Sequence, residues 1–175
     1  MPVRRILSAV ALMLVITSVT GCGSQELSRS DQAVAESLAA YAITQSDGVW
    51  SKREAQCMAV HFVKSAGVPA LKEAGLVSER GTAVPAKVTM AQPVAEDFAD
   101  AVLACIDFAD LVTRQIAKAR PDLDTASFSA CVRKSITKEQ AKQRLIAQQT
   151  DDTKSAALKA TDAALLKCAR GASST

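Results

Sequence analysis

The chain has 175 residues, of which 49% are hydrophobic and only 3% aromatic, and its formal net charge is +3. The small net charge argues against a nucleic-acid-binding protein, and seven glycines and five prolines are too few for a many-turned β-sandwich. The length suits one domain with a sizeable core, and the abundance of alanine favours helices.

The first 21 residues have the organisation of an export signal. Arg4 and Arg5 form a positive segment, and an apolar segment follows from Ile6 to Val19. A transmembrane helix needs about 20 apolar residues, so we expect this shorter segment to be removed on export rather than to stay in the membrane as an anchor.

The apolar segment ends in the tetrapeptide Val19-Thr20-Gly21-Cys22, which resembles a bacterial lipobox. The resemblance implies cleavage after Gly21 and attachment of acyl chains, such as palmitate, to Cys22. The mature protein would then be lipid-anchored in the cell membrane and would face the outside of the cytoplasm, because two acyl chains hold a protein there stably. The alternative is an ordinary signal peptide with a chance cysteine.

The mature chain divides into a tether, a helical domain and a tail. The segment 22–30 begins with the lipidated cysteine and is otherwise mostly polar, so it is predicted to be a tether. The helical domain is predicted to span 31–171. Residues 172–175 predict a frayed tail. Ser30 is the expected N-cap of a first helix from Asp31 to about Ile43.

The next segment carries a capping box, since Glu54 lies three residues after Ser51. The box predicts a helix that ends at Gly67, and Pro69 predicts a short helix to Gly75. Residues 76–93 have no helical periodicity, so we expect a surface loop with a short extended piece over 84–90.

The strongest helical pattern runs from Val94 to Ala119. Its apolar stripe predicts one continuous buried helix and consists of Val94, Phe98, Ala101, Cys105, Phe108, Val112 and Ile116. Acidic residues occupy the opposite, solvated face, namely Glu96, Asp100, Asp107 and Asp110. Asp110 and Arg114 have the spacing of an ion pair within this helix.

Three more helices are predicted after Pro121. Asp124 or Thr125 caps the first, and Thr137 with Gln140 forms a second capping box. Asp151-Asp152 is the expected cap of the last helix.

The pattern indicates a weak internal duplication with halves at about 51–120 and 125–170. Leu71 follows Cys57 at the same spacing as Leu145 follows Cys131. Each half has the predicted order helix, short helix, loop and closing helix. The expected fold is therefore all-α, a compact helical domain of two weakly similar halves.

Four cysteines remain once Cys22 is set aside, and an exported protein can form disulfides. The duplication favours one disulfide in each half, which gives Cys57–Cys105 and Cys131–Cys168. Pairing between the halves remains the alternative. Each disulfide within a half would close a loop of about 40 to 50 residues and stabilise the domain by about 4 kcal/mol.

The alternative to disulfides is that the same cysteines bind a zinc ion. Cys57 and His61 lie four residues apart on one helix face, and two further thiolates would complete a Cys₃His set. The cysteines lack the close Cys-x₂₋₄-Cys spacing of such sites, so we favour disulfides and expect no metal and no cofactor.

The lipobox followed by an alanine-rich, four-cysteine helical domain resembles a class of small, uncharacterised actinobacterial exported proteins and lipoproteins. That resemblance implies no particular activity. No hydrolase, metalloprotease, phosphate-binding or dinucleotide-binding motif occurs in the chain. His61 is the only histidine, so we expect no enzyme.

The C-terminal part is basic, with nine Lys and Arg against four Asp and Glu in residues 125–175. An anionic membrane or envelope component is a candidate partner for this surface, and the expected contacts are Arg133, Lys134, Lys138 and Lys142. An ordinary solvated helix face is the alternative.

Three function classes follow from the sequence. The first, which we favour, is a membrane-anchored accessory protein without catalysis that contacts another envelope protein. The second is a helical domain that binds a small molecule or lipid in an apolar cavity between the halves. The third is an enzyme whose site the motifs do not reveal.

Overall fold

The structure is a computed structural model and describes residues 26–85 and 88–173. Within those residues the chain is all-helical and has no β-strand, which confirms the predicted fold class. The eight helices are α1 (Arg29–Gln45), α2 (Lys52–Ala66), α3 (Val68–Glu73), α4 (Gln92–Cys105), α5 (Phe108–Ala119), α6 (Thr125–Ser135), α7 (Lys138–Gln149) and α8 (Ala156–Gly171).

The order of the helices places the cysteines at equivalent points of two four-helix units, α1–α4 and α5–α8. In each unit the first helix packs on the second, and the second packs on the fourth. The cysteines lie on the second and fourth helices of each unit. Contacts between α4 and α7 join the two units.

Two hydrophobic clusters fill these units. The first is built on α1, α2, α3 and α4 and also takes Leu145 and Ile146 from α7. The second is centred on the fully buried Phe128 of α6 and takes its other members mainly from α5 and α8. Because α7 contributes Ala141 to the second cluster, this helix bridges both cores.

The predicted caps in the middle of the chain are confirmed. Ser51 and Glu54 form the reciprocal capping box at the start of α2, and Thr137 and Gln140 form the same arrangement at α7. Asp124 caps α6, where its carboxylate accepts from two backbone N–H groups. These caps satisfy N–H groups that have no partner inside their helix.

The caps of the first and last helices were predicted wrongly. Ser28 is the N-cap of α1, because its Oγ accepts from the Asp31 N–H at 3.1 Å, whereas Ser30 already lies inside the first turn. Ser155 caps α8, while the predicted cap Asp151 lies in a turn with φ of +55°. The tether therefore ends before Ser28, and the last helix starts later than expected.

The prediction of one continuous helix over 94–119 is also wrong. Ile106 and Asp107 are extended, and Asp107 becomes the N-cap of α5, accepting from the Asp110 N–H at 3.0 Å. The break buries Ile106, which is only 5% exposed. It also directs α5 into the second hydrophobic cluster, so the predicted stripe is divided between the two cores.

The predicted Asp110–Arg114 pair does not form, because both side chains have partners on other helices. Arg114 makes a bidentate pair with Glu54 at 2.8 and 3.0 Å, which joins α5 to the start of α2. Asp110 instead pairs with Arg133 of α6. The Arg114–Glu54 pair therefore connects the two four-helix units.

Two further segments differ from expectation. Val77 and Ala83 form one isolated antiparallel bridge in the loop. No strand forms over 84–85 or 88–90, which are the described residues of the predicted extended piece. Ala172, at the start of the predicted frayed tail, is buried, and its carbonyl accepts from the Asp124 N–H. This hydrogen bond anchors the chain end to the start of α6.

The Glu54–Arg114 pair predicts a specific pH dependence of stability. Hydrogen bonds from Arg114, assisted by Ser51 and opposed by burial, lower the pKa of Glu54 from 4.5 to about 2. A lowered folded-state pKa stabilises the fold at pH values above 4.5, and the gain is lost as the pH falls towards 2. Glu54→Gln retains the capping box but loses the charge. We expect it to reduce the free energy of unfolding at neutral pH by roughly 0.5–1 kcal/mol, since the pair is partly exposed.

Urea denaturation at neutral pH and near pH 2 measures this effect. The difference between wild type and Glu54→Gln should disappear at the lower pH. Glu79→Gln is the matched control, because Glu79 pairs with Lys72 on the surface and is almost fully exposed. Equal effects of the two substitutions would contradict the role assigned to Glu54.

Candidate functional site

An apolar cavity with a volume of about 530 Å³ lies in the first four-helix unit. Its wall consists mainly of α1, the segment between α1 and α2, α2, and residues from the loop before α4. The second unit contributes Gln115 and Gln149. The cavity therefore lies within the first four-helix unit and is bordered by residues of the second unit.

Aromatic and methionine side chains are concentrated in this cavity. The chain has six aromatic residues, and four of them line it, namely Tyr41, Trp50, Phe62 and Phe98. Met58 and Met90, both buried, complete the apolar wall. Such side chains offer a large, adaptable apolar contact area to a ligand.

The Phe62 and Phe98 rings meet edge to face, with centroids 5.4 Å apart and planes at 76°. This contact joins α2 to α4 at the cavity wall and is worth about 1 kcal/mol beyond the area that it buries. The wall is thus held by the same two helices that carry Cys57 and Cys105.

Polar groups border the cavity, and they are all uncharged. They are the side chains of Tyr41, Gln45, Ser46, Trp50, Gln115 and Gln149. The Ser46 hydroxyl already has two hydrogen-bond partners, since its Oγ donates to the Ile43 carbonyl and accepts from the Trp50 N–H. Within the described residues, the other five side chains make no hydrogen bond.

Two hydrogen bonds hold the loop that completes the wall. The Ala83 N–H donates to Ser37 Oγ of α1 at 2.9 Å, and the Met90 N–H donates to the Gln149 carbonyl of α7 at 2.8 Å. These bonds fix the two ends of the loop against separate helices, so Met90 is held in the wall.

Two further cavities are more polar. One of about 260 Å³ is bordered by Asp107, Arg133 and Lys138, and one of about 440 Å³ by Glu26, Glu36 and Lys64. Neither combines an aromatic wall with an uncharged rim, so neither has the chemistry of an apolar ligand site.

The four predicted disulfide cysteines pair within the halves. Cys57 bonds to Cys105 with Cα atoms 5.8 Å apart, and Cys131 bonds to Cys168 with Cα atoms 5.6 Å apart. Pairing between the halves does not occur. Each bond fixes the second helix of its unit to the fourth.

His61 lies beside the first disulfide, but the Cys₃His zinc site considered from the sequence does not form there. One of its ring nitrogens and the sulfurs of Cys57 and Cys105 lie within 4.8 Å of one another, and His61 is exposed. The two sulfurs are bonded to each other, so neither is a thiolate, and the other two cysteines of the described residues form the second disulfide. The equivalent position of the second unit is Ser135.

The acidic residues of the predicted solvated face have separate local roles. Asp100 pairs with Lys142, Asp107 caps α5 and Asp110 pairs with Arg133. Glu96 accepts from Gln92 in the first turn of α4. Each of these carboxylates thus has its own local partner, and they do not form a cluster around His61.

The four basic residues predicted to contact an anionic partner fall into two groups. Arg133 and Lys142 are engaged by aspartates, and Asp100 raises the pKa of Lys142 through its hydrogen bond. Lys134 and Lys138 are exposed and make no ion pair with the described residues. An anionic contact on this surface remains a prediction, with Lys134 and Lys138 as its available charges.

The apolar segment 6–19 and Cys22, the predicted lipidation site, lie outside the described residues. Among the helices that the structure does describe, none is long and apolar enough to span a membrane. No protein family model, curated protein or solved structure matches this chain.

The cavity was not identified from the sequence. Phe98 belongs to the predicted apolar stripe, and that stripe is equally compatible with a filled core. The one available signal was that four of only six aromatic residues fall between positions 41 and 98. Spacing alone cannot distinguish side chains that fill a core from side chains that line a space.

The disulfides predict a measurable stability loss. Replacing both Cys57 and Cys105 by Ala, or both Cys131 and Cys168, should lower the free energy of unfolding by about 2–4 kcal/mol, because each bond restricts the unfolded chain. Urea denaturation followed by Trp50 fluorescence measures this, with the reduced wild type as the reference for loss of both bonds. An unchanged midpoint in either variant would contradict the assigned pairing.

Proposed function

We propose that this protein is a membrane-anchored, extracytoplasmic binding protein that holds a small apolar molecule in the cavity of its first four-helix unit. The observation that carries the proposal is the cavity of about 530 Å³ lined by four of the six aromatic residues. Ligand sites in proteins are concave, mostly apolar and about 300–1,000 Å³ in volume. The role proposed is binding without catalysis.

The surface gives less support to an accessory protein that docks through an apolar face. Among the described residues, Leu166 is the one large hydrophobic side chain that is strongly exposed, at 60%. A single leucine does not form the contiguous exposed apolar patch that marks an apolar docking site. The cavity therefore favours the ligand-binding alternative over the accessory role.

The anchoring part of the proposal is supported by the resemblance of Val19-Thr20-Gly21-Cys22 to a lipobox. Because α1 is capped by Ser28, only residues 23–27 separate Cys22 from the domain. At about 3.5 Å per residue, this tether reaches roughly 20 Å. The domain would then lie close to the membrane surface.

The anchoring proposal is tested by Cys22→Ala in the producing cell. We expect the variant to appear in the medium or to accumulate as an unprocessed precursor, since acyl chains can no longer be attached. Cell fractionation and mass spectrometry of the N-terminus measure both outcomes. Normal processing with unchanged membrane partitioning would contradict lipid anchoring at Cys22.

The binding proposal is tested by filling the cavity. Ala42→Phe adds a ring to a residue of the cavity wall, so it should reduce the affinity for the neutral apolar probe N-phenyl-1-naphthylamine by about tenfold or more. Trp50, the only tryptophan, reports binding through its fluorescence.

The matched control is Ala40→Phe, because Ala40 lies on the same helix and is exposed. It should leave probe binding unchanged, and circular dichroism confirms that both variants are folded. Equal affinities of the two folded variants would exclude this cavity as the binding site.

A further inference from the structure

We infer that the cavity selects an uncharged amphiphile, in which an apolar chain or ring system carries a neutral oxygen-containing head such as an ester or a hydroxyl. The inference rests on the proposed binding function and adds the chemical class of the ligand. The observation behind it is the combination of an aromatic interior with a rim of free, uncharged hydrogen-bonding groups.

The lining of the cavity is uncharged within the described residues. None of the described residues that line the cavity is Lys, Arg, His, Asp or Glu. A carboxylate or phosphate brought against this surface would lose hydration without gaining a cation, which is costly. An anionic head group is therefore disfavoured at this site.

The nearest charges on α5 are already neutralised. Arg114, next to the rim residue Gln115, is held by both oxygens of Glu54. Lys118, one turn further on, pairs with Asp47. These two pairs engage both basic side chains of α5, so this helix offers no unpaired cation beside Gln115.

The rim offers donors and acceptors together. The carboxamides of Gln45, Gln115 and Gln149 and the Tyr41 hydroxyl have no hydrogen-bond partner within the described part of the chain. A carboxamide can donate and accept at once, and so can a phenol. Hydroxyl and ester oxygens are complementary to such a set, whereas a hydrocarbon without a head would leave it unused.

The positions of these groups orient the ligand. Gln45 and Gln115 are exposed, so they mark the mouth, whereas Met58 and Phe62 are buried and mark the interior. The apolar body of the ligand would lie against Met58 and Phe62, and the head would lie between the glutamines. This arrangement suits a single-chain neutral lipid such as a monoacylglycerol.

The test compares two ligands with the same acyl chain on the full-length processed protein at neutral pH. Monodecanoylglycerol has a neutral head, and decanoate is ionised. Trp50 fluorescence titrations should show monodecanoylglycerol binding at least about tenfold more tightly than decanoate. Equal or tighter binding of decanoate would overturn the neutral-head inference. If neither ligand nor the naphthylamine probe binds, the proposed function itself fails.

A charge variant provides the second arm of the test. Gln115→Arg adds a cation at the mouth and removes a rim carboxamide, so it should improve decanoate binding by several-fold and weaken monodecanoylglycerol binding. Gln148→Arg is the matched control, because Gln148 is exposed on α7 and does not line the cavity. If Gln115→Arg and Gln148→Arg change decanoate affinity equally, the head does not lie at Gln115, and the assigned orientation is wrong.

Discussion

The disulfide between Cys57 and Cys105 holds α2 against α4, and the rest of the candidate site depends on this constraint. The edge-to-face contact of Phe62 with Phe98 lies between the same two helices. Without the bond, an alanine-rich interface with few large side chains would have to hold open a cavity of about 530 Å³ by packing alone. The disulfide keeps α2 and α4 together around this space and contributes about 2–4 kcal/mol to the stability of the fold.

The two four-helix units share one arrangement of helices and disulfides but differ in what they enclose. The second unit packs around the fully buried Phe128, whereas four aromatic side chains of the first unit line a space. The second unit contributes Gln115 and Gln149 to the rim, and its α5 is joined to α2 by the Arg114–Glu54 pair. One unit thus provides the interior of the site, and the other provides part of its polar mouth.

Local signals predicted much of the fold, because caps and apolar periodicity act over a few residues. The Ser51 capping box was predicted correctly for that reason. The break at Ile106–Asp107 was not, because Cys105 and Phe108 keep the helical spacing across it and no glycine or proline marks it. Burial of Ile106 and the turn of α5 into the second core decide the break, and both are tertiary effects. The cavity escaped prediction for a related reason, since a space between side chains leaves no pattern along the chain.

The most direct test of the proposed site is an NMR titration of the protein labelled at its methionine methyl groups. Met58 and Met90 are the only methionines after Gly21, and both line the cavity. Leucine substitution at each position assigns the two signals. On addition of monodecanoylglycerol, we predict that both signals shift and saturate together. Ligand binding that leaves both methyl signals unmoved would contradict the assignment of the cavity as the binding site.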